Sequence, residues 1–470
     1  MRGRPSEFVN MLPDDVLLEI FDFHVLVSGH QYNMEAWQSL VHVCRRWRSL
    51  VFGSPRRLYL QLFYVAKTPA RGTLDVWPPL PLCIVGRIKN TEELDNAIAV
   101  LERSDRVVFI TIVLSRPHFE DVSIAMQKPF PVLRHLALFS SNTVTVIPDS
   151  FLGRSAPRLK LLWLDGILFP GLPKLLLSAT DLITLYLTNI PHSEHISLDT
   201  IITVLSTLPS LRSFRLEFWS PRPLPERENR LLLPRTRSVL HFLHSLEFKG
   251  VIDYLEDLVA RIDTPRLKAL YMTFFNQIVF DTPKSMQFIS RTPSLGALEE
   301  TRLAFQSDAA EARLSSQEPG FEKILARISC WGFDRQVSSL EKVCTSSLPL
   351  LSKLEDLYIF EETNSPPNWK DNIENTLWLE LLHPFIAVKN LYLSEKFALR
   401  IAPALQELVG GGTTDVLPTL QNLFLEGLQP PGPDQEGIVK FVATRQLSGH
   451  PITVSLWDRA TFRSHRGKRS

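Results

Sequence analysis

The sequence predicts an α/β chain whose larger part is a right-handed solenoid, with a parallel sheet on the concave face and helices on the convex face. Three observations predict it. From about residue 130 the pattern Leu-x-x-Leu-x-Leu keeps returning, often with Pro two positions earlier. It recurs at similar intervals, and helical patterns fill the gaps. The pattern stands at Pro131/Leu133/Leu136/Leu138, Pro157/Leu159/Leu162/Leu164, Leu182/Leu185/Leu187 and Pro209/Leu211/Phe214/Leu216. It continues at Leu243/Leu246/Phe248, Pro265/Leu267/Leu270/Met272, Leu354/Leu357/Ile359, Val388/Leu391/Leu393 and Pro418/Leu420/Leu423/Leu425. Starts at 133, 159, 182, 211, 243 and 267 give steps of 26, 23, 29, 32 and 24. Leu-x-Leu alternates as a short strand does, and the Pro marks the turn before it. Leu198–Leu208, Tyr254–Ile262 and Ile401–Val409 read as helices. Strand, helix, strand at this period stacks right-handed.

Upstream, Leu58, Leu60 and Leu62 alternate like a strand, Thr91–Glu102 reads as a helix and Val107–Leu114 as a strand. The array therefore starts at about residues 58–80, follows the N-terminal segment without a flexible linker, and extends over 59–458. A doubly wound sheet is the alternative. The repeats resemble leucine-rich repeats, with one departure. The Asn or Cys that such repeats place three residues after the last Leu is replaced by Ile167, Ile190, Val251, Phe275 and Leu428. Without that ladder the turns must close differently, and the gap near 295–330 implies one or two degenerate units.

Composition excludes several classes. In 470 residues, 44% are hydrophobic and 21% charged, the range of soluble globular chains. Lys and Arg number 51 against 50 Asp and Glu, so no global field is expected to hold nucleic acid or an anionic membrane. Cys44, Cys83, Cys330 and Cys344 are scattered without a CxxC pair, which points to a reducing compartment and away from a disulfide framework or zinc. Met1–Asn10 is polar rather than a secretory leader, and no apolar run approaches the roughly 20 residues of a spanning helix. The expected location is cytoplasmic, nuclear or both.

Residues 8–58 carry the most specific motif. Val16, Leu17, Ile20 and Phe21 share one helical face, Pro13 suits a first turn, and Asp14, Asp15 and Glu19 complement the helix dipole. A second helical run follows: Trp37, Leu40, Val41 and Cys44 share a face that Val43, Trp47, Leu50 and Val51 extend, before Gly53 and Pro55 stop it. So short a pair with two wide apolar stripes rarely stands alone. Leu12, Pro13, Leu17, Ile20 and Phe21, followed by Val43, Cys44, Arg45, Trp47 and Arg48, resemble an F-box, and the long connection Val25–Glu35 resembles the expanded F-box-like family of basidiomycete fungi. The resemblance covers about a tenth of the chain. It implies a Skp1 adaptor bound by Leu12, Pro13, Val16, Leu17, Ile20, Phe21, Val43 and Trp47, and through it a cullin-RING ubiquitin ligase. An ordinary helical hairpin capping a larger domain is the other reading.

The middle residue of each Leu-x-Leu should point away from the core. Those positions are Ala137, Trp163, Tyr186, Arg215, Glu247, Tyr271, Tyr358, Tyr392 and Phe424, six of them aromatic. Trp163, Tyr186, Arg215, Tyr271, Tyr358, Tyr392 and Phe424 are the candidate substrate contacts of the concave face, since Trp, Tyr and Arg dominate hot spots. Lateral packing between strands would enrich the same residues. Asp165, Glu217, Lys249 and Glu426 should flank them. Ser220–Thr236, Gln306–Gly320, Glu361–Asn372 and Gly427–Gly437 read as insertions on one rim, either a binding rim or neutral drift.

No catalytic motif emerges: GxSxG, a P-loop and HExxH are all missing from the sequence. Gly410-Gly411-Gly412 lacks the spacing of a phosphate cradle. His192/His195 and His241/His244 would need further metal ligands, Cys330, Trp331 and Phe333 read as core, and the basic end 459–470 reads as a disordered tail. No cofactor or metal is expected. The expected function is a non-catalytic substrate receptor; the alternative is a repeat scaffold without a ubiquitin role.

Overall fold

The leucines of the repeated pattern turn inward. The computed structural model describes residues 12–27, 36–55, 57–58, 60–65, 67, 69–141, 145–191, 197–220, 237–275, 282–296, 298–316, 322–348, 351–367, 369, 373–407, 416–427 and 436–458. Within it Leu136, Leu138, Leu162, Leu164, Leu185, Leu187, Phe214, Leu216, Leu246, Phe248, Leu391 and Leu393 are all buried. The protein is mixed α/β, its strands mostly parallel, and it divides into two compact units, residues 1–190 and 191–470.

In the first unit six strands run parallel in chain order: β1 (Leu62–Val65), β2 (Leu82–Ile88), β3 (Val107–Leu114), β4 (His135–Ser140), β5 (Leu161–Asp165) and β6 (Thr184–Ile190). The expected helix at 91–102 is Thr91–Leu101, with Asn90 capping it by accepting from the Glu93 amide at 2.9 Å. The main sheet of the second unit holds ten strands among the described residues: β7 (Ser213–Phe218), β8 (Ser245–Gly250), β9 (Ala269–Phe275), β10 (Glu300–Phe305), β11 (Ala309–Ser315), β12 (Glu322–Ser329), β13 (Asp356–Glu361), β14 (Asn390–Leu393), β15 (Asn422–Glu426) and β16 (Thr453–Trp457). Its spatial order is β7-β8-β9-β12-β11-β10-β13-β14-β15-β16. The expected helices lie at Leu198–Ser206, Ile252–Arg261 and Glu395–Glu407.

The stretch expected to hold degenerate units and a loop at Gln306–Gly320 is different. Residues 309–315 form a strand, and β10, β11 and β12 pair antiparallel. The reason is length: three residues separate β10 from β11, too few for a crossover helix, so the chain must reverse. Gln306 N–H donates to Ala309 O at 2.8 Å across that reversal.

Each turn before a strand closes through its own backbone. The amides of Leu133, Leu159, Leu182, Leu211, Leu243, Leu267, Leu354 and Leu420 each donate to the carbonyl three residues earlier, at 3.1–3.3 Å. At several strands the residue after that position then bonds across to the neighbouring turn: Lys160 to Arg134 O, Lys268 to His244 O, Lys389 (after Val388) to Glu355 O and Gln421 to Lys389 O, all at 2.8–2.9 Å. Ile167, Ile190 and Phe275, which stand where the Asn would be, are buried as apolar plugs.

The N-terminal segment forms three helices, α1 (Asp14–Val27), α2 (Ala36–Val41) and α3 (Arg45–Gly53), where two were expected. The second run breaks at His42–Cys44 because extended Cys44 caps α3, its Sγ accepting from the Trp47 amide at 3.5 Å. β-branched Val41 ends α2 and Val43 lies within the break, and both favour it. Arg46 ties α3 to α1, donating to Asp14 Oδ1 at 2.6 Å and Leu12 O at 2.5 Å. Trp47 meets Phe21 with ring centroids 4.7 Å apart. Trp37 reaches onward, its indole N–H donating to Gln61 O at 3.1 Å just before β1. Phe21 is fully buried and Val16 is not. Phe21→Ala should therefore lower unfolding free energy by about 3–5 kcal/mol in urea titration, while Val16→Ala stays within about 0.5 kcal/mol.

Candidate functional site

Side chains between two inward leucines stand on the other face of the sheet, and in-register pairing lines them up. In the second unit the pairs run Arg215, Glu247, Tyr271, Leu325, Arg313, Arg302, Tyr358, Tyr392, Phe424, Ser455, one row across all ten strands. Five of the sequence-derived contacts (Arg215, Tyr271, Tyr358, Tyr392 and Phe424) therefore share a row. In the first unit the row runs Thr111, Ala137, Trp163, Tyr186.

Two of the outward positions are not open. Ala137 is buried, a methyl group flanked in register by the larger Thr111 and Trp163. Tyr358 is buried because the aromatics pack on one another. It stacks on Tyr392 at 4.2 Å, Tyr392 stacks on Phe424 at 4.4 Å, and the Trp457 ring lies 5.9 Å from Tyr358 and 5.7 Å from Tyr392. The Arg302 guanidinium sits 5.6 Å from the Tyr358 ring centroid. With Ala304 and Phe360 these rings make a second, smaller core on the outer face, leaving Tyr392 and Phe424 partly exposed. Trp163 is likewise anchored: it lies 5.6 Å from Tyr186 and 4.8 Å from Phe139, and its N–H donates to Thr188 Oγ1 at 2.9 Å. Thr188 and Asn189 in turn donate to Asp165 Oδ2 at 2.6 and 2.9 Å.

Polar rows border the rings. On one side Asn422 Nδ2 donates to Asn390 Oδ1 at 2.8 Å, and Asn390 Nδ2 donates to Asp356 Oδ1 at 2.7 Å. Burial raises the Asp356 carboxyl above its ordinary range; the Asn390 donor opposes this and neighbouring Glu300 adds to it. On the other side Glu311 is buried between two arginines. Arg313 Nε donates to it at 2.7 Å and Arg327 Nη1 pairs with its other oxygen. Burial alone would lower the Arg313 guanidinium, but Glu311, Glu322 and Glu362 together hold it raised. Arg215 Nη2 pairs with Glu247 at 2.5 Å, and Tyr271 donates to Glu322 O at 3.3 Å.

Sequence reasoning missed Arg302, Asp356, Asn390, Asn422, Phe139 and Trp457. A signal existed. Asp356-Leu-Tyr-Ile, Asn390-Leu-Tyr-Leu and Asn422-Leu-Phe-Leu repeat one pattern, so the polar ladder sits two residues before the ring ladder.

The N-terminal residues divide. Val16, Leu17, Ile20 and Phe21, expected on one open face, split: Leu17 and Phe21 turn inward, whereas Val16 and Ile20 are exposed. Adjacent positions on a helix lie about 100° apart, so each consecutive pair straddles the boundary between sides. Ile20 (46% exposed) aligns with Phe23 (67%) and Val16 at the i, i+4, i+7 spacing, an outward stripe of its own. Val43 is exposed in the turn before α3, and Pro13 is exposed while Leu12 and Trp47 are half-buried.

Other candidates resolve differently. Trp331, expected in the core, is exposed, while Cys330 and Phe333 beside it are buried. Gly332 explains the split: its positive φ of 92° turns the chain between Trp331 and the helix beginning at Phe333. Among the described residues no three His, Cys, Asp or Glu side chains gather as metal ligands, and no helix is long and apolar enough to cross a membrane. His192, His195, Gly410–Gly412, Leu428, residues 459–470 and most of the insertions at 220–236 and 427–437 lie outside the described residues. Where two inserted segments are described they meet: the Ser307 amide donates to Ser365 O at 2.9 Å. The chain matches no model of a known protein family and no curated protein sequence.

The outer face therefore presents stacked rings, amide edges and paired charges. Glu311→Ala would strand Arg313 and Arg327 without their shared partner, and should lower stability by about 3–5 kcal/mol in chemical denaturation, with Glu311→Gln recovering part of the loss.

Proposed function

We propose that this chain is the substrate-recognition subunit of a Skp1–cullin–F-box ubiquitin ligase. It docks on a Skp1-like adaptor through its N-terminal helices and holds a protein substrate on an irregular right-handed leucine-rich-repeat solenoid. It supplies proximity rather than chemistry. The observation that carries the reading is the outward stripe Val16, Ile20, Phe23, together with exposed Val43 on the same F-box-like segment. Three apolar side chains at one-face spacing on a surface helix are what a helix-binding groove takes up. In this reading Val16, Ile20 and Val43 touch the adaptor with Leu12 and Pro13, while Leu17, Phe21 and Trp47 hold the helices in shape. In the second unit Tyr392, Phe424, Tyr271 and Arg215, and in the first Trp163 and Tyr186, are the contacts for substrate, and buried Tyr358 supports Tyr392.

The competing reading, a repeat scaffold without a ubiquitin role, draws on the burial of Leu17 and Phe21 within the chain itself. One experiment separates them. Co-expressed with a Skp1 adaptor, the wild-type chain should co-purify with it. Val16→Asp combined with Ile20→Asp should lose the adaptor at unchanged thermal stability, because both sites are exposed. Wild-type chain that leaves the adaptor behind, or a double variant that keeps it, removes the ligase reading.

A further inference from the structure

Strand β16 ends the sheet of the second unit without covering its core. Its register with β15 sets Val454 beside Leu423 and Leu456 beside Leu425. Leu423 and Leu425 are sealed, yet Val454 is 39% and Leu456 68% exposed. These are core positions by register and surface positions in fact. The helix before the strand (Glu436–Leu447) also leaves Val439 and Leu447 exposed. Among the described residues no strand pairs with the far edge of β16, so its outer backbone donors and acceptors face outward.

An edge of this kind is ordinarily blunted by a charge, a proline, a bulge or a covering helix, and terminal units of repeat arrays carry a polar cap. Thr453-Val454-Ser455-Leu456-Trp457 has no charge and no proline, and its register with β15 is unbroken. The first unit treats its terminal strand differently: Leu62 and Tyr64 of β1 are buried, and Trp37 from α2 donates to the Gln61 carbonyl beside it.

We infer that the β16 edge is the interface of a homodimer, in which a second copy of this chain adds its own β16 antiparallel across a two-fold axis at Ser455. The sequence of the strand is self-complementary about that residue. Antiparallel pairing centred there sets Val454 of one copy opposite Leu456 of the other, twice, on the core side. It sets Ser455 opposite Ser455 and Thr453 opposite Trp457 on the other side, and no like charges oppose each other. Each copy completes the open core of the other. The 459–470 segment fits the edge less well: its only large apolar residue is Phe462, among five arginines and lysines, so it cannot fill the places beside Val454 and Leu456.

The test uses the full chain in sedimentation velocity and light scattering from about 1 to 200 μM, a range suited to a small, reversible interface. The expected result is a weight-average mass rising from 53.6 kDa toward twice that value. Leu456→Asp should remain monomeric throughout with an unchanged melting curve, since the position is exposed. Under mild oxidation Ser455→Cys should give a covalent dimer, and Thr453→Cys, which faces Trp457, should not. A chain ending at Asp458 should dimerise as the full chain does. A wild-type mass that stays monomeric, a Leu456→Asp variant that dimerises like wild type, or dimerisation seen only after removal of 459–470 would each overturn the inference; the last would mean that the tail is the cover. None of these outcomes depends on adaptor binding.

Discussion

The pairing register of the strands governs everything else in this molecule. Register is fixed at each turn, where a leucine amide closes on the carbonyl three residues earlier and the next amide bonds to the neighbouring turn. A slip of one residue would carry every inward leucine to the outer face and every outer tyrosine into the core. Each such hydrogen bond contributes only about 0.5–1.5 kcal/mol net, but leaving one buried amide unmade costs more. The turns therefore act as clamps at one end of the strands, while at the other end Ile167, Ile190 and Phe275 are buried where the Asn would stand.

From that constraint the outer face follows. Rings two residues from an amide ladder in sequence are two residues from it on every strand, so β13, β14 and β15 generate parallel tracks of rings and amides. Stacking at 4.2 and 4.4 Å then draws the rings together until the innermost is buried. The outer face is thereby held in one arrangement by its own packing, and in the proposed reading that would reduce the ordering cost of binding. The antiparallel β10–β12 insertion interrupts the ring track with charges, and buried Glu311 is the partner that Arg313 and Arg327 share.

Much of this was legible in the chain. Alternating leucines identified inward and outward positions, since side-chain alternation in a strand is local geometry, and Val107–Leu114 emerged with the bounds read from sequence. The polar ladder at Asp356, Asn390 and Asn422 was equally visible but sits outside the Leu-x-Leu frame. Hidden were features that depend on distance across the fold. Trp457 lies nearly a hundred residues after Tyr358, and only the sheet brings the two rings together. The break before α3 turned on a cysteine side chain acting as a cap, a role that residue type rarely advertises.

The sequence by itself determined the α/β class, the positions and faces of the strands that carry Leu-x-Leu and the helical character of the N-terminal segment, because periodicity and turn chemistry act over a few neighbouring residues, although the Leu58/Leu60/Leu62 alternation falls before the strand, which begins at Leu62. Only the tertiary structure decided which outward residues remain reachable, which side of α1 is open, that residues 300–329 fold as an antiparallel meander, and that the β16 edge leaves core positions uncovered. Those outcomes depend on what packs from elsewhere in the chain, and burial is a property of the assembled whole.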